Sequence, residues 1–296
     1  MKLSIKTLLF LLNLWLAIAV TAHAADAPGL VFKFRTVNVP RSTGTWVHGI
    51  NNAGVIVGPY TNKANVCGSF ILDGGKLTKL NDPKGTCTQA NNLNPNGPVS
   101  VVGSYQPPSR GGAPEGFLYA KGKFTDIPGP AGATFSIANG INDKGDIVGV
   151  YIGADGAVHG FLLSGGKYKT MDVPGSTFTD ITDINNAGHM ALYWVAQDGT
   201  NNSSIYDGKS YKTINVPGAQ VSYALALNNA DDVTYVWYDA AGDDHSALWH
   251  KGIIYKFDPP KAVGSFAWGI NDENEIVGGY ALTNNGEVSG YVATYK

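Results

Sequence analysis

Apolar residues in this chain come in short runs broken by Gly, Pro, Asn and Asp, without the sustained 3.6-residue period of helices. One pattern recurs six times. An aliphatic residue and an Asn open a short turn-forming run that ends in a residue tolerant of positive φ. It stands at Ile50-Asn51-Asn52-Ala53-Gly54, Leu93-Asn94-Pro95-Asn96-Gly97 and Ile141-Asn142-Asp143-Lys144-Gly145. It returns at Ile184-Asn185-Asn186-Ala187-Gly188, Leu227-Asn228-Asn229-Ala230-Asp231 and Ile270-Asn271-Asp272-Glu273-Asn274. The aliphatic anchors lie 43, 48, 43, 43 and 43 residues apart.

Asn and Asp begin tight turns by bonding their own backbone, and Gly, Asp and Asn accept the left-handed conformation. Each motif therefore reads as a hairpin turn with a left-handed last residue. The six second-position Asn residues read as turn caps; a ring of ligands is the competing reading.

A strand precedes each turn (Ser136 to Asn139) and another follows (Ile147 to Tyr151). A variable loop leads to a third (His159 to Leu163). A Gly-rich turn leads to a fourth, Tyr168 to Val173, closed by Pro174-Gly175. Proline there would blunt an outer edge strand. Four strands in a repeat of this length make a propeller blade.

The pattern predicts an all-β, six-bladed β-propeller of four-stranded antiparallel blades. The blades fall near 44–82, 87–128, 135–174, 178–217, 221–259 and 264–296 plus 30–40. Gly290 to Ala293 matches a third strand, and Phe32 to Pro40 matches a fourth. The N-terminal strand is thus expected to complete the C-terminal blade and close the ring.

Residues 1–24 read as a signal peptide: Lys2 and Lys6, an apolar run from Leu8 to Val20, and Ala22-His23-Ala24 before a cleavage after Ala24. The run is shorter than a bilayer span, and no later stretch is long and apolar enough to cross one. A secreted or periplasmic domain, 25–296, is expected, without an integral membrane segment and as a monomer. Formal net charge is −2 and charged residues make up 15%, so no basic nucleic-acid surface is expected. Cys67 and Cys87 lie within one repeat period, and an exported chain would pair them as a disulfide; the alternative is two separate thiols.

Aligning the six repeats on their anchors separates scaffold from candidate site. Five residues before the anchor stand Thr45, Thr88, Ser136, Thr179, Ser222 and Ser265, hydroxyls suited to bonding nearby backbone. Three before stand Val47, Ala90, Ala138, Ile181, Ala224 and Ala267, suited to packing blades near the axis. Four before, the column breaks into Trp46, Gln89, Ile137, Asp180, Tyr223 and Phe266. Two before, it breaks into His48, Asn91, Asn139, Thr182, Leu225 and Trp268. Mixed aromatic and polar groups at equivalent places suit a pocket at the channel mouth. Trp46, His48, Gln89, Asn91, Asn139, Asp180, Tyr223 and Trp268 are the candidate binding residues; ordinary drift between blades is the alternative. The site is expected on the face of the variable loops, the longest running from Gln106 to Glu115. The second strands end in Tyr60, Tyr105, Tyr151, Trp194, Trp237 and Tyr280, an aromatic ring expected to pack between blades.

The third repeat, Gly140 to Tyr151 followed by His159-Gly160-Phe161-Leu162 and Asp172-Val173-Pro174-Gly175, resembles the extracellular HAF-repeat proteins of bacteria. The second repeat departs at Pro95 and Pro98, and the fifth lacks the Gly. The resemblance spans essentially the whole mature chain. It implies a secreted propeller and carries over no catalytic residues.

The leading functional expectation is a non-catalytic module, without a cofactor, that binds a small molecule, glycan or protein. The alternative is a lactonase-like hydrolase or lyase. It would use His48, facing Asp180 or Asp183 across the ring, with Asn91, Asn139 and Gln89 as oxygen donors for an optional calcium ion. No nucleophile elbow, phosphate loop or metal-binding helix is present.

Overall fold

The computed structural model describes residues 29–63, 67–284 and 286–296. The expected signal peptide and its cleavage site lie outside the described residues. Among the described residues no helix is long and apolar enough to cross a membrane, which says nothing of strands.

The chain is a six-bladed all-β propeller. Blade 3 shows the unit: Phe135–Ile141, Ile147–Ile152, Val158–Ser164 and Lys167–Thr170, each antiparallel to the next. The turn after each anchor ends left-handed in all six blades. Its φ values are 76° at Gly54, 78° at Gly97, 81° at Gly145, 84° at Gly188, 63° at Asp231 and 60° at Asn274. Asp231 also explains the departure of the fifth repeat. Its carboxylate accepts Asn185 Nδ2 at 2.8 Å and sits 2.9 Å from His189 Nδ1, tying blade 5 to blade 4.

The hydrophobic core is divided among the seams between blades. Val102 and Ile127 of blade 2 pack with Ala138, Ile141 and Phe161 of blade 3, and an equivalent cluster fills each of the other five seams. All six residues three before the anchor sit in these clusters. Their small or compact shape lets inner strands approach the axis. The hydroxyl column bonds the end of the preceding blade: Thr45, Thr88, Thr179 and Ser222 accept from Val39, Asp82, Val173 and Val216 N–H.

The anchor asparagines form a second, polar seam. In blades 1, 3, 4, 5 and 6 the Asn Oδ1 accepts two N–H groups of its own turn, as Asn185 does from Ala187 and His189 at 3.0 Å each. The Nδ2 group then donates to the next anchor's carbonyl: Asn142 to Asn185, Asn185 to Asn228, Asn228 to Asn271, and Asn271 to Asn51 at 3.0 Å. The next residue extends the ring, from Asp143 N–H to Asn186 Oδ1 and onward through Asn229 and Asp272 to Asn52. Asn52 N–H to Pro95 and Asn96 N–H to Asp143 complete the circle.

Closure follows the expected splice. Phe32–Val37 pairs antiparallel with Val288–Tyr295, from Phe32 opposite Tyr295 to Val37 opposite Gly290. Phe32 stacks on Phe257 of blade 5 with centroids 4.3 Å apart. The cysteines are bridged, with Cα atoms 4.8 Å apart. The two lie 20 residues apart, less than one repeat length, yet the bridge joins the third strand of blade 1 (Cys67–Asp73) to the inner strand of blade 2 (Thr86–Leu93). It therefore staples two blades.

Deleting residues 30–40 removes the buried Val37 and Val39 and the strand that closes blade 6. At ~1.5–3 kcal/mol per buried aliphatic side chain and ~2–4 °C per kcal/mol, calorimetry should show Tm falling by roughly 10–20 °C. Asn185→Ala orphans two part-buried N–H groups and the buried Asn228 carbonyl. Chemical denaturation should show a loss of about 2–4 kcal/mol, far above that of an exposed Asn→Ala change.

Candidate functional site

Each inner strand slips register just before its anchor. The shifts fall between Ala90 and Asn92, Ala138 and Gly140, Ile181 and Asp183, Ala224 and Ala226, and Ala267 and Gly269. In blade 1 the strand is interrupted between Thr45 and Gly49. Such bulges re-aim side chains. Here they bring both variable columns, four and two residues before the anchor, to one cavity of about 720 Å³ at the channel mouth.

All eight candidate binding residues line this cavity, together with Ile137, Phe266, Thr182 and Leu225 from the same columns. It opens on the face of the blade-joining and second-to-third-strand loops, with the Cys67–Cys87 bridge at its lip. The longest loop contributes nothing to it. That loop forms a 3-10 turn at Pro108–Arg110, and Arg110 pairs with Glu115 at 2.6 Å.

The wall has two unlike arcs. Blades 2 to 4 supply amides, a hydroxyl and a carboxylate. Asn91 Nδ2 donates to the Ala138 carbonyl at 3.2 Å, and Asn139 Nδ2 donates to Asp180 Oδ1 at 2.7 Å. Tyr193 donates its hydroxyl to Asp180 Oδ2 at 2.9 Å, and Thr182 donates to the Ala224 carbonyl. Blades 5, 6 and 1 supply rings. Phe266 stacks on Trp268 at 5.0 Å, Trp268 lies 4.2 Å from the His48 ring, and Tyr223 meets Tyr193 edge-on at 4.8 Å.

The floor comes from residues outside the eight. Asn92 Nδ2 donates to Asp183 Oδ1 at 2.9 Å across the channel, and Asp183 also accepts the N–H groups of Ile184 and Leu227. Below this pair the second cavity holds only about 20 Å³. The column one before the anchor reads Gly49, Asn92, Gly140, Asp183, Ala226 and Gly269, so its two polar members already break a small-residue rule. Tyr193 and Tyr238 enter from second strands and Asp244 from the start of a third, where no column flags them.

Burial sets the electrostatics. It pushes the His48 imidazole down to about 3 against a hydrogen bond with Asn91, leaving it neutral. It pushes Asp180 up to about 7 against the donors Tyr193 and Asn139, and Asp183 up to about 7 against its backbone donors. No hydrogen bond or ion pair joins His48 to either carboxylate among the described residues. No group of three or more His, Cys, Asp or Glu is placed to hold a metal among them either. His159 and His245, at matching places before third strands, bind Asp172 at 2.7 Å and Asp258 at 2.8 Å and belong to the scaffold. The aromatic column is likewise absorbed: Tyr151 bonds Thr170, Trp194 bonds Ser204, Trp237 bonds the Ser246 carbonyl, and of the six only Tyr60 lines the cavity.

No family model and no curated protein matches the sequence. Solved structures do. AofleA from Arthrobotrys oligospora is 11% identical, with 90% of this chain and 88% of that one covered at a TM-score of 0.54. TolB from Acinetobacter baumannii is 12% identical over 86% of this chain and 64% of its own, with a TM-score of 0.53. The β-propeller domain of the Trilobed protease from Pyrococcus furiosus is 13% identical over 82% and 79%, with a TM-score of 0.52. That domain is described as having an open velcro topology, whereas the present ring is sealed by Phe32–Val37. At these identities the likeness is one of fold.

The raised Asp180 pKa has a sign that can be tested. Held at about 7 in the folded chain and near ~3.9 unfolded, the carboxyl takes up a proton on folding between those values. Its contribution to stability is complete below pH ~4 and lost as pH rises through ~7. Asp180→Asn should therefore gain stability relative to wild type at pH 8 but not at pH 4, by ~4 kcal/mol at most. Thermal melts across pH 4–8 that shift both proteins in parallel would refute this.

Proposed function

We propose that this chain is an exported, non-catalytic binding module that takes a small molecule in the mouth of its propeller channel. The carrying observation is the cavity of about 720 Å³, closed beneath by Asn92 and Asp183 and walled by an aromatic arc and a polar arc. Small-molecule sites typically occupy ~300–1,000 Å³, with apolar area for affinity and a few fixed polar groups for orientation. The polar arc is pre-organised because its amides and carboxylate bond one another. A flat protein epitope fits this concave wall less well.

Export and membership of the HAF-repeat group belong to the same reading. The repeat motif and the leader support them, as does a disulfide suited to an oxidising compartment. A second reading is favoured by one observation: Asp180 titrates near neutrality inside a cavity, as proton-transfer groups of enzymes do. In that case the module is a hydrolase or lyase, and calcium would draw on the channel oxygens of Gln89, Asn91 and Asn139.

Native mass spectrometry of the protein against a metabolite library, with and without EDTA, separates the two. Binding predicts compounds recovered chemically unchanged, insensitive to EDTA, and lost in Trp268→Ala by at least tenfold in affinity while that variant still melts cooperatively. Conversion of the compounds would support the enzyme. Hits unaffected by Trp268→Ala would place binding elsewhere.

A further inference from the structure

The charges around the cavity are one-sided. Asp180, Asp243 and Asp244 line it, and no lysine or arginine does among the described residues. His48 is held neutral by burial. The chain as a whole is nearly balanced, with 21 basic and 23 acidic side chains, so this asymmetry is local.

Two of these carboxylates bracket a continuous aromatic wall. Asp180 accepts the Tyr193 hydroxyl at 2.9 Å. Tyr193 meets Tyr223 edge-on at 4.8 Å, and Tyr223 meets Tyr238 edge-on at 6.3 Å. Tyr238 lies opposite Asp244 in the strand pair of blade 5. Asp244 packs over Gly264, where a Cβ would come within 2.7 Å of its Oδ2. That oxygen is buried without a hydrogen-bond partner. An unpaired buried carboxylate is costly, and a nearby cation offsets that cost.

Elsewhere the chain supplies its own cations to aromatic rings. Lys256 sits 3.8 Å over Trp237 and Lys212 sits 4.8 Å over Trp249. The nearest such contact to a cavity ring is Lys79, 5.9 Å from Tyr60 on blade 1. The wall of Tyr193, Tyr223 and Tyr238 has none among the described residues. Aromatic rings attract cations within ~6 Å, most strongly where water is excluded.

Building on the binding reading above, we infer that the ligand is a small organic cation, an ammonium or alkylated ammonium held against the Tyr193–Tyr223–Tyr238 wall between Asp180 and Asp244. The adjoining rings of blade 6, Trp268 and Phe266, take its apolar body.

Isothermal calorimetry with paired probes tests this: choline against its uncharged carbon isostere dimethylbutanol, and cadaverine against pentanediol. At least one cation should bind ten times more tightly than its neutral partner. Tyr223→Leu and Asp180→Asn should each weaken that cation at least fivefold, and Tyr223→Phe, which keeps the ring, should not. A cation binding no better than its isostere, in both pairs, overturns the inference. So does a preference untouched by Tyr223→Leu in a variant that still melts cooperatively. Should neutral library compounds meanwhile bind and be lost in Trp268→Ala, the cavity remains a binding site and only its ligand class is wrong. Should those also be absent, both readings fall together.

Discussion

The anchor asparagine carries the architecture. Its Oδ1 closes the turn of its own blade, and in four seams its Nδ2 closes the gap to the next. Local and global structure are thereby locked to the same side chain. Glutamine would move the amide one methylene outward, and aspartate would replace the donor with a second acceptor facing a carbonyl. A turn that must cap itself and dock its neighbour tolerates little change of length on either side. The anchors return every 43 residues in four of five intervals, and the longer one shows the cost of widening the turn: Leu93 pairs with Val101 where Ile141 pairs with Ile147, and Asn94 bonds Asn96 of its own turn instead of the next blade.

A rigid inner ring frees other positions to vary. Once hydroxyls and compact aliphatic residues hold the blades together, the residues four and two before each anchor are held to no common size or polarity. Bulges aim both columns at one space. The cavity is therefore a by-product of symmetry in its backbone and a record of asymmetry in its side chains. A sixfold repeat would produce a ring of like residues. Here the ring is split, with amides and Asp180 on one half and Trp268, Phe266, Trp46 and Tyr223 on the other. Part of the polar half serves the seams, since Asn91, Asn139 and Thr182 donate to carbonyls of the next blade, whereas Asp180 accepts from side chains of the lining itself.

Much of this is legible along the chain because the repeat supplies six internal comparisons. The turn geometry, the blade count and the closing strand all follow from spacing and residue type, and the structure places Phe32–Val37 where the unmatched end requires it. The two variable columns also stand out, since neighbouring columns are uniform. What escapes is set by contacts across the ring. Asn92 meets Asp183 from two blades away, a partnership that no single repeat encodes. Tyr193 and Tyr238 lie on second strands, where alternation gives aromatic residues an ordinary packing role. The Cys67–Cys87 bridge is legible as a pair, but its span of two blades depends on where one blade ends. His48 shows the converse: its position was readable, and its neutral state comes from burial beside Trp268.

The buried carboxylates complete the physical argument. Asp183 has three protein donors, so its cost is largely met by the scaffold, and it serves as a floor. Asp180 has two donors and remains open to the cavity, and Asp244 has an oxygen with none. The donors thus diminish from the floor upward to the mouth. A fold that needed these groups only for packing would lose nothing by replacing Asp244 with an apolar residue of similar size. An acid there, above a wall of tyrosines that no lysine or arginine shields among the described residues, places unsatisfied negative potential where a ligand enters. The site is most readily satisfied by a partner that brings the missing charge with it.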